Sequence, residues 1–111
     1  MPVLTINSNI KIDDDSVLTE LSQLCAKMLC KPENYVMVQI NDQQKLIFAG
    51  SNDPAASCSL TSLGLNDKHT AEYSQQLCQF MESKLGIPAN RIYIEFKSPE
   101  RRLFGWDKRT F

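Results

Sequence analysis

One histidine, four glycines and four cysteines in 111 residues leave little material for metal or redox chemistry. His69 stands in a polar turn ahead of a helical pattern, and no His, Cys and carboxylate residues gather at ligand spacing, so neither a structural nor a catalytic metal is expected. No two of Cys25, Cys30, Cys58 and Cys78 show the two-residue gap of a redox or zinc motif. Cys25 and Cys78 fall on or beside apolar helix faces, which predicts plain buried or half-buried thiols. No segment collects Lys and Arg into a long basic face, and with a net charge of −1 and a pI near 5.8 nucleic acid is not an expected partner. No apolar run approaches the roughly 20 residues that cross a bilayer, so membrane insertion is not expected. The N-terminus also lacks a basic segment followed by an apolar core and a cleavage site, which makes the cytosol the expected compartment.

What is present suits one compact domain over residues 1–111, because 42% of the chain is hydrophobic. Val17, Leu18, Leu21, Leu24, Cys25, Met28 and Leu29 recur at helical spacing, with Asp13, Asp14 and Asp15 available as caps before them. Pro32 disfavours helical geometry at Lys31, which places that lysine at the helix exit. A second helix is predicted from about Thr70 to Leu85, with Tyr73, Leu77, Phe80, Met81 and Leu85 on one stripe and Gly86 as its C-cap. Strand patterns occupy Val3 to Ile6, Tyr35 to Ile40, Ala56 to Leu63 and Arg91 to Lys97.

The order strand, helix, strand occurs twice, and Pro32 and Asn34 recur 56 residues later as Pro88 and Asn90. The same offset places Leu21 on Leu77, Cys25 on Met81, Val36 on Ile92 and Ile47–Phe48 on Leu103–Phe104. These matches predict an internal duplication, with repeats of about 1–50 and 57–106. Each unit forms a right-handed crossover, so the fold class is α/β of the α+β kind: a four-stranded mixed sheet with both helices on one face. The opposite sheet face is expected to carry apolar side chains that subunit association would cover. Leu46 to Ala49 and Leu103 to Trp106 are expected edge strands able to pair across a subunit boundary.

Pro2 follows Met1, and methionine removal before a small residue would leave a secondary amine at the chain start, which is a base. The plainer alternative is that Pro2 only stiffens the first strand. Pro2 opens a strand that is expected to end near the exit of the first helix, where Lys31 lies. A cation within about 4 to 6 Å, together with burial, would lower the amine below the about 7.7 to 8.0 of an ordinary α-amino group. Taken alone, Lys31 also reads as a helix-end charge that complements the dipole.

The start Met1-Pro2-Val3, the run Lys31 to Met37, the segment Ser59 to Gly64, the strand Arg91 to Ile94 and the tail residues Gly105, Trp106, Thr110 and Phe111 resemble the macrophage migration inhibitory factor family of the tautomerase superfamily, its bacterial and protist members included. The resemblance covers the whole chain. It implies a homotrimer with active sites at subunit boundaries and cofactor-free keto–enol isomerisation of phenylpyruvate-like 2-oxo acids and dopachrome-type compounds. Pro2 would be the proton shuttle, and Lys31 would hold the substrate's carboxylate or carbonyl oxygen. The backbone of Leu63 would add a polar contact, Tyr93 and Glu95 would arrive from the neighbouring subunit, and Tyr35, Phe104 and Trp106 would wall an aryl ring.

The same resemblance carries a second function, a secreted signalling or host-modulating protein that leaves the cell without a signal peptide and meets a cell-surface receptor. Three departures from the family pattern bear on these expectations. Glu95 replaces a frequent Asn, and its carboxylate would repel an anionic substrate, a charge that Arg101 and Arg102 would offset if their loop lies at the pocket mouth, although two arginines in a polar loop are more often solvated surface. Ala55 breaks the thiol pair that Cys58 would complete, which removes the oxidoreductase function ascribed to some relatives. Thr61 stands where vertebrate members have histidine.

Overall fold

The computed structural model describes residues 1–111. Strand β1 (Val3–Ser8) leads into helix α1 (Ser16–Leu29), strand β2 (Met37–Asn41) and strand β3 (Ala56–Thr61). Helix α2 (Thr70–Leu85), strand β4 (Ile92–Lys97) and the short strands β5 (Gly105–Trp106) and β6 (Arg109–Thr110) follow. The main sheet has the order β2-β1-β3-β4. Its outer pairs, β1 with β2 and β3 with β4, are parallel, whereas β1 and β3 run antiparallel at the centre. The two strand–helix–strand units therefore meet along the strands that open them.

Both helices pack on one sheet face. Alternation along β1 and β3 turns Leu4, Ile6, Cys58 and Leu60 toward them, and these join Val17, Leu21 and Cys25 of α1 and Leu77 and Met81 of α2 in one cluster. Equivalent helix positions do the burying: Val17, Leu21 and Cys25 in α1 match Tyr73, Leu77 and Met81 in α2. The helix ends also correspond. Cys30 and Gly86 both take left-handed geometry, and Pro32 (φ −62, ψ 136) and Pro88 (φ −60, ψ 139) then set the same extended exit. The aspartate run caps α1 differently from the expectation. Asp15 occupies the N-cap without a side-chain bond, while Asp14 Oδ1 accepts the Ser16 N–H at 3.0 Å; the Ser16 hydroxyl first, and then this N–H, hold the Asp14 carboxyl below the usual range.

Two expectations are corrected. The sheet face away from the helices is polar, because alternation places Thr5, Asn7, Gln39, Asn41, Ser57, Ser59, Glu95 and Lys97 there. Asn41 Nδ2 donates to Asn7 Oδ1 (2.9 Å) and Asn7 Nδ2 to the Ser57 carbonyl (3.2 Å), so side-chain amides tie three strands together. Only Val3, Met37 and Tyr93 supply apolar area on that side. The segment Leu46 to Ala49 is no strand either, since it holds just the Phe48–Ser51 bridge, and the tail pairs with itself as β5–β6.

Candidate functional site

Pro2 is fully buried at the head of β1, where its carbonyl accepts the Met37 N–H at 2.9 Å and draws the starts of β1 and β2 together. At the end of α1, Lys31 N–H reaches back to Ala26 O (3.0 Å) and Cys30 N–H to Lys27 O (3.3 Å), a paired C-cap that reverses the chain. That reversal delivers Lys31 to the head of β1, and the 3₁₀ turn Glu33–Tyr35 carries Tyr35 alongside it. The segment after β3 supplies Leu63 and Gly64, the latter at φ +68, and the loop 99–101 together with Phe111 closes the remaining side. The result is a cavity of about 520 Å³ lined by Met1, Pro2, Lys31, Pro32, Tyr35, Leu63, Gly64, Pro99, Glu100, Arg101 and Phe111.

The chain-terminal amine opens into this space. Burial, and then the positive charges of Lys31 and Arg101, hold the Met1 α-amine below its ordinary value of 8.0. Lys31 has no acidic partner, and Glu100, the cavity's one lining carboxylate, is bonded to Arg102 Nε at 2.8 Å. Cationic field and burial thus act in one direction on an amine placed here: both favour the uncharged base.

Aromatic rings back the outer wall. Tyr35 meets Trp106 edge to face at 5.6 Å, Trp106 stacks on Phe111 at 5.6 Å with 14° between planes, and Phe104 lies 6.1 Å from Phe111. Phe111 itself is positioned twice, by its N–H to Phe104 O (3.1 Å) and by its carbonyl oxygen, which accepts from Arg101 Nε (3.1 Å).

Of the residues singled out from the sequence, Pro2, Lys31, Tyr35 and Leu63 converge on this cavity, while Phe104 and Trp106 stand behind Phe111. Tyr93 and Glu95 lie on β4, two strands away from β1 and on the outer sheet face, so neither reaches the cavity of its own chain. Tyr93 is 70% exposed with its ring 4.9 Å from Phe48, and Glu95 pairs with Lys97 Nζ at 3.2 Å. The sequence reading did not place Glu100, Pro99 or Phe111 at the site. The only advance signal for this loop was the charge pair Arg101–Arg102.

Neither of the two buried thiols lines the cavity. Burial pushes Cys25 and Cys58 up to about 12, with Cys78 adding to the shift of Cys58, so both are protonated and inert. No three His, Cys, Asp or Glu side chains are grouped so as to hold a metal ion. No helix is long and apolar enough to cross a membrane.

Comparison with known proteins gives the same outline across the full length. Residues 1–111 match the family model described as macrophage migration inhibitory factor. The chain is 40% identical to a macrophage migration inhibitory factor homolog of Trichinella spiralis, covering 100% of both chains, and 37% identical to the macrophage migration inhibitory factor of Xenopus tropicalis, covering 100% of this chain and 99% of that one. Among solved structures, the homologue from Prochlorococcus marinus superposes with a TM-score of 0.94 at 38% identity, covering 98% of each chain.

Proposed function

The chain belongs to the macrophage migration inhibitory factor family, and from that premise we propose that it is a keto–enol tautomerase of phenylpyruvate-like 2-oxo acids, with dopachrome-type compounds as further substrates. The observation that carries the reading is the buried Pro2 at the floor of a cavity that also contains Lys31, in a field that lowers a terminal amine. Removal of Met1 exposes the Pro2 secondary amine and vacates the space that Met1 lines. The amine takes a proton from the carbon between the ketone and the aryl ring, and the C–H electron pair moves to the carbonyl oxygen. Lys31 stabilises the enolate oxygen or the adjacent carboxylate, and the proton on Pro2 is returned to oxygen or to carbon. The Leu63 backbone and the ring of Tyr35 orient the substrate. In a homotrimer, Tyr93 and Glu95 of the neighbouring subunit complete the site, and their position on the outer sheet face, away from their own cavity, supports that assignment. No cofactor enters the step.

The test follows the loss of enol absorbance of phenylpyruvate with protein whose intact mass shows Met1 removed. Pro2→Gly lowers kcat/KM by about 10² to 10⁴, whereas a wild-type rate in that variant overturns the proposal.

A second reading is favoured by the family membership together with the carboxylate of Glu95: a secreted signalling protein acting on a cell-surface receptor, with the tautomerase site weak or vestigial. Saturable binding to the family's receptor together with negligible turnover would favour it. Brisk turnover without receptor binding would remove it.

A further inference from the structure

Two cations line the cavity of the single chain, and neither is paired with an acidic side chain of that chain, so each offsets the carboxylate that Glu95 of a neighbouring subunit would bring. Lys31 sits half-buried beside Pro2, and Arg101 sits exposed at the mouth. The ion pairs of this chain are Lys11–Asp13, His69–Glu72, Lys84–Glu20, Lys97–Glu95 and Arg102–Glu100, so the carboxylates nearest in the chain to Arg101 and Lys31 are engaged elsewhere or face solvent. In particular, Glu100 is held by its other neighbour, Arg102. Arg101 is also positioned. Its Nε donates to the Phe111 main-chain oxygen, and its own carbonyl accepts the Phe104 N–H at 3.2 Å, which leaves both terminal guanidinium nitrogens free. A planar donor pair without another partner is suited to a carboxylate or phosphate-like group.

We propose that Arg101 is a second anion-binding residue of this cavity and selects 2-oxo acids that carry another negative group at the end remote from the reacting carbonyl. The inference rests on the tautomerase reading for its chemistry, with Pro2 and Lys31 serving the reacting end in the interior and Arg101 the far end at the mouth. The cavity has the size of small-molecule sites that enclose an aryl 2-oxo acid with one further substituent. Phe111, stacked on Trp106 and bonded to Arg101, lines the cavity together with Lys31 and Arg101.

The experiment compares phenylpyruvate with 4-carboxyphenylpyruvate, by kcat/KM and by isothermal titration of the dianion, in wild type, Arg101→Gln, Arg101→Lys and Glu100→Gln. Wild type prefers the dianion. Arg101→Gln lowers the dianion-to-monoanion ratio about tenfold, Arg101→Lys restores most of it, and Glu100→Gln raises it. Equal losses on both substrates in Arg101→Gln, or a wild type indifferent to the second carboxylate, overturn the proposal. Absence of turnover of either compound, with dianion binding still weakened by Arg101→Gln, would sink the tautomerase reading while supporting the anion site.

Discussion

The two repeats share a backbone and differ in what they do with it. Sheet pairing sets Val3 opposite Met37 and Ser57 opposite Tyr93, so the counterpart of Pro2 is Ala56. At the other end, Lys31 corresponds to Ile87 and Tyr35 to Arg91. In the first repeat these positions open the cavity. In the second they seal the fold: Ile87 is wholly buried, and Arg91 fills its end by donating to the carbonyls of Phe48, Ser51, Asp53 and Pro54 at 2.9 to 3.2 Å while covering the Phe48 ring. The Ala56 nitrogen is an ordinary peptide amide inside a strand and has no basicity to lend. Two similar strand–helix–strand units therefore offer two equivalent corners, and the proposed base belongs to the one at Pro2.

The comparison is broken most severely in the core, where the repeats ought to behave alike. Leu21→Ala and Leu77→Ala, both at wholly buried positions, each lower stability by about 2 to 5 kcal/mol in chemical denaturation. A large difference between them would mean that the halves do not share one cooperative core. The corners ought to behave differently. Arg91→Ala loses several charge-assisted bonds and costs about 1.5 to 3 kcal/mol of stability with tautomerase activity per folded molecule retained. Lys31→Ala does the reverse, lowering kcat/KM about 10- to 100-fold with a stability change within about 0.5 kcal/mol. The smallest effect separates the helix caps: Cys30 strains at φ 53, so Cys30→Gly stabilises by about 0.5 to 1 kcal/mol, and Gly86→Ala destabilises by a like amount. Thermal melts of the two variants check the sign.

Much of this was readable in the residues. Helix α2 has the predicted bounds because its apolar stripe and its Gly86 cap agree, and α1 differs by one residue at its start. The repeat was visible from the helices onward, where a constant offset holds. It is hidden at the opening strands because the offset there is 54, Val3 matching Ser57, and not the 56 that relates Leu21 to Leu77. The polar outer face was misread, since Val and Ile positions on β2 and β4 were noticed and the Ser, Thr and Asn positions that alternate on β1 and β3 were not. The tail was the least legible part. Asp107 and Lys108 turn the β5–β6 hairpin at φ 51 and 65 without a glycine, so nothing announced that the chain would double back and bring Phe111 to the cavity. Of the site, Pro2, Lys31, Tyr35 and Leu63 could be named beforehand, whereas the approach of loop 99–101 depends on that long-range folding.

The central claim is that the corner holding Pro2 holds its amine below the ordinary α-amine range and so raises its uncharged fraction at neutral pH. Nitrogen-15 NMR titration of the mature protein, labelled at proline, measures this directly. The account predicts a midpoint below the about 7.7 to 8.0 of an ordinary α-amine, rising when Lys31 is replaced by alanine. A midpoint within or above that range, unmoved by the loss of Lys31, would contradict it.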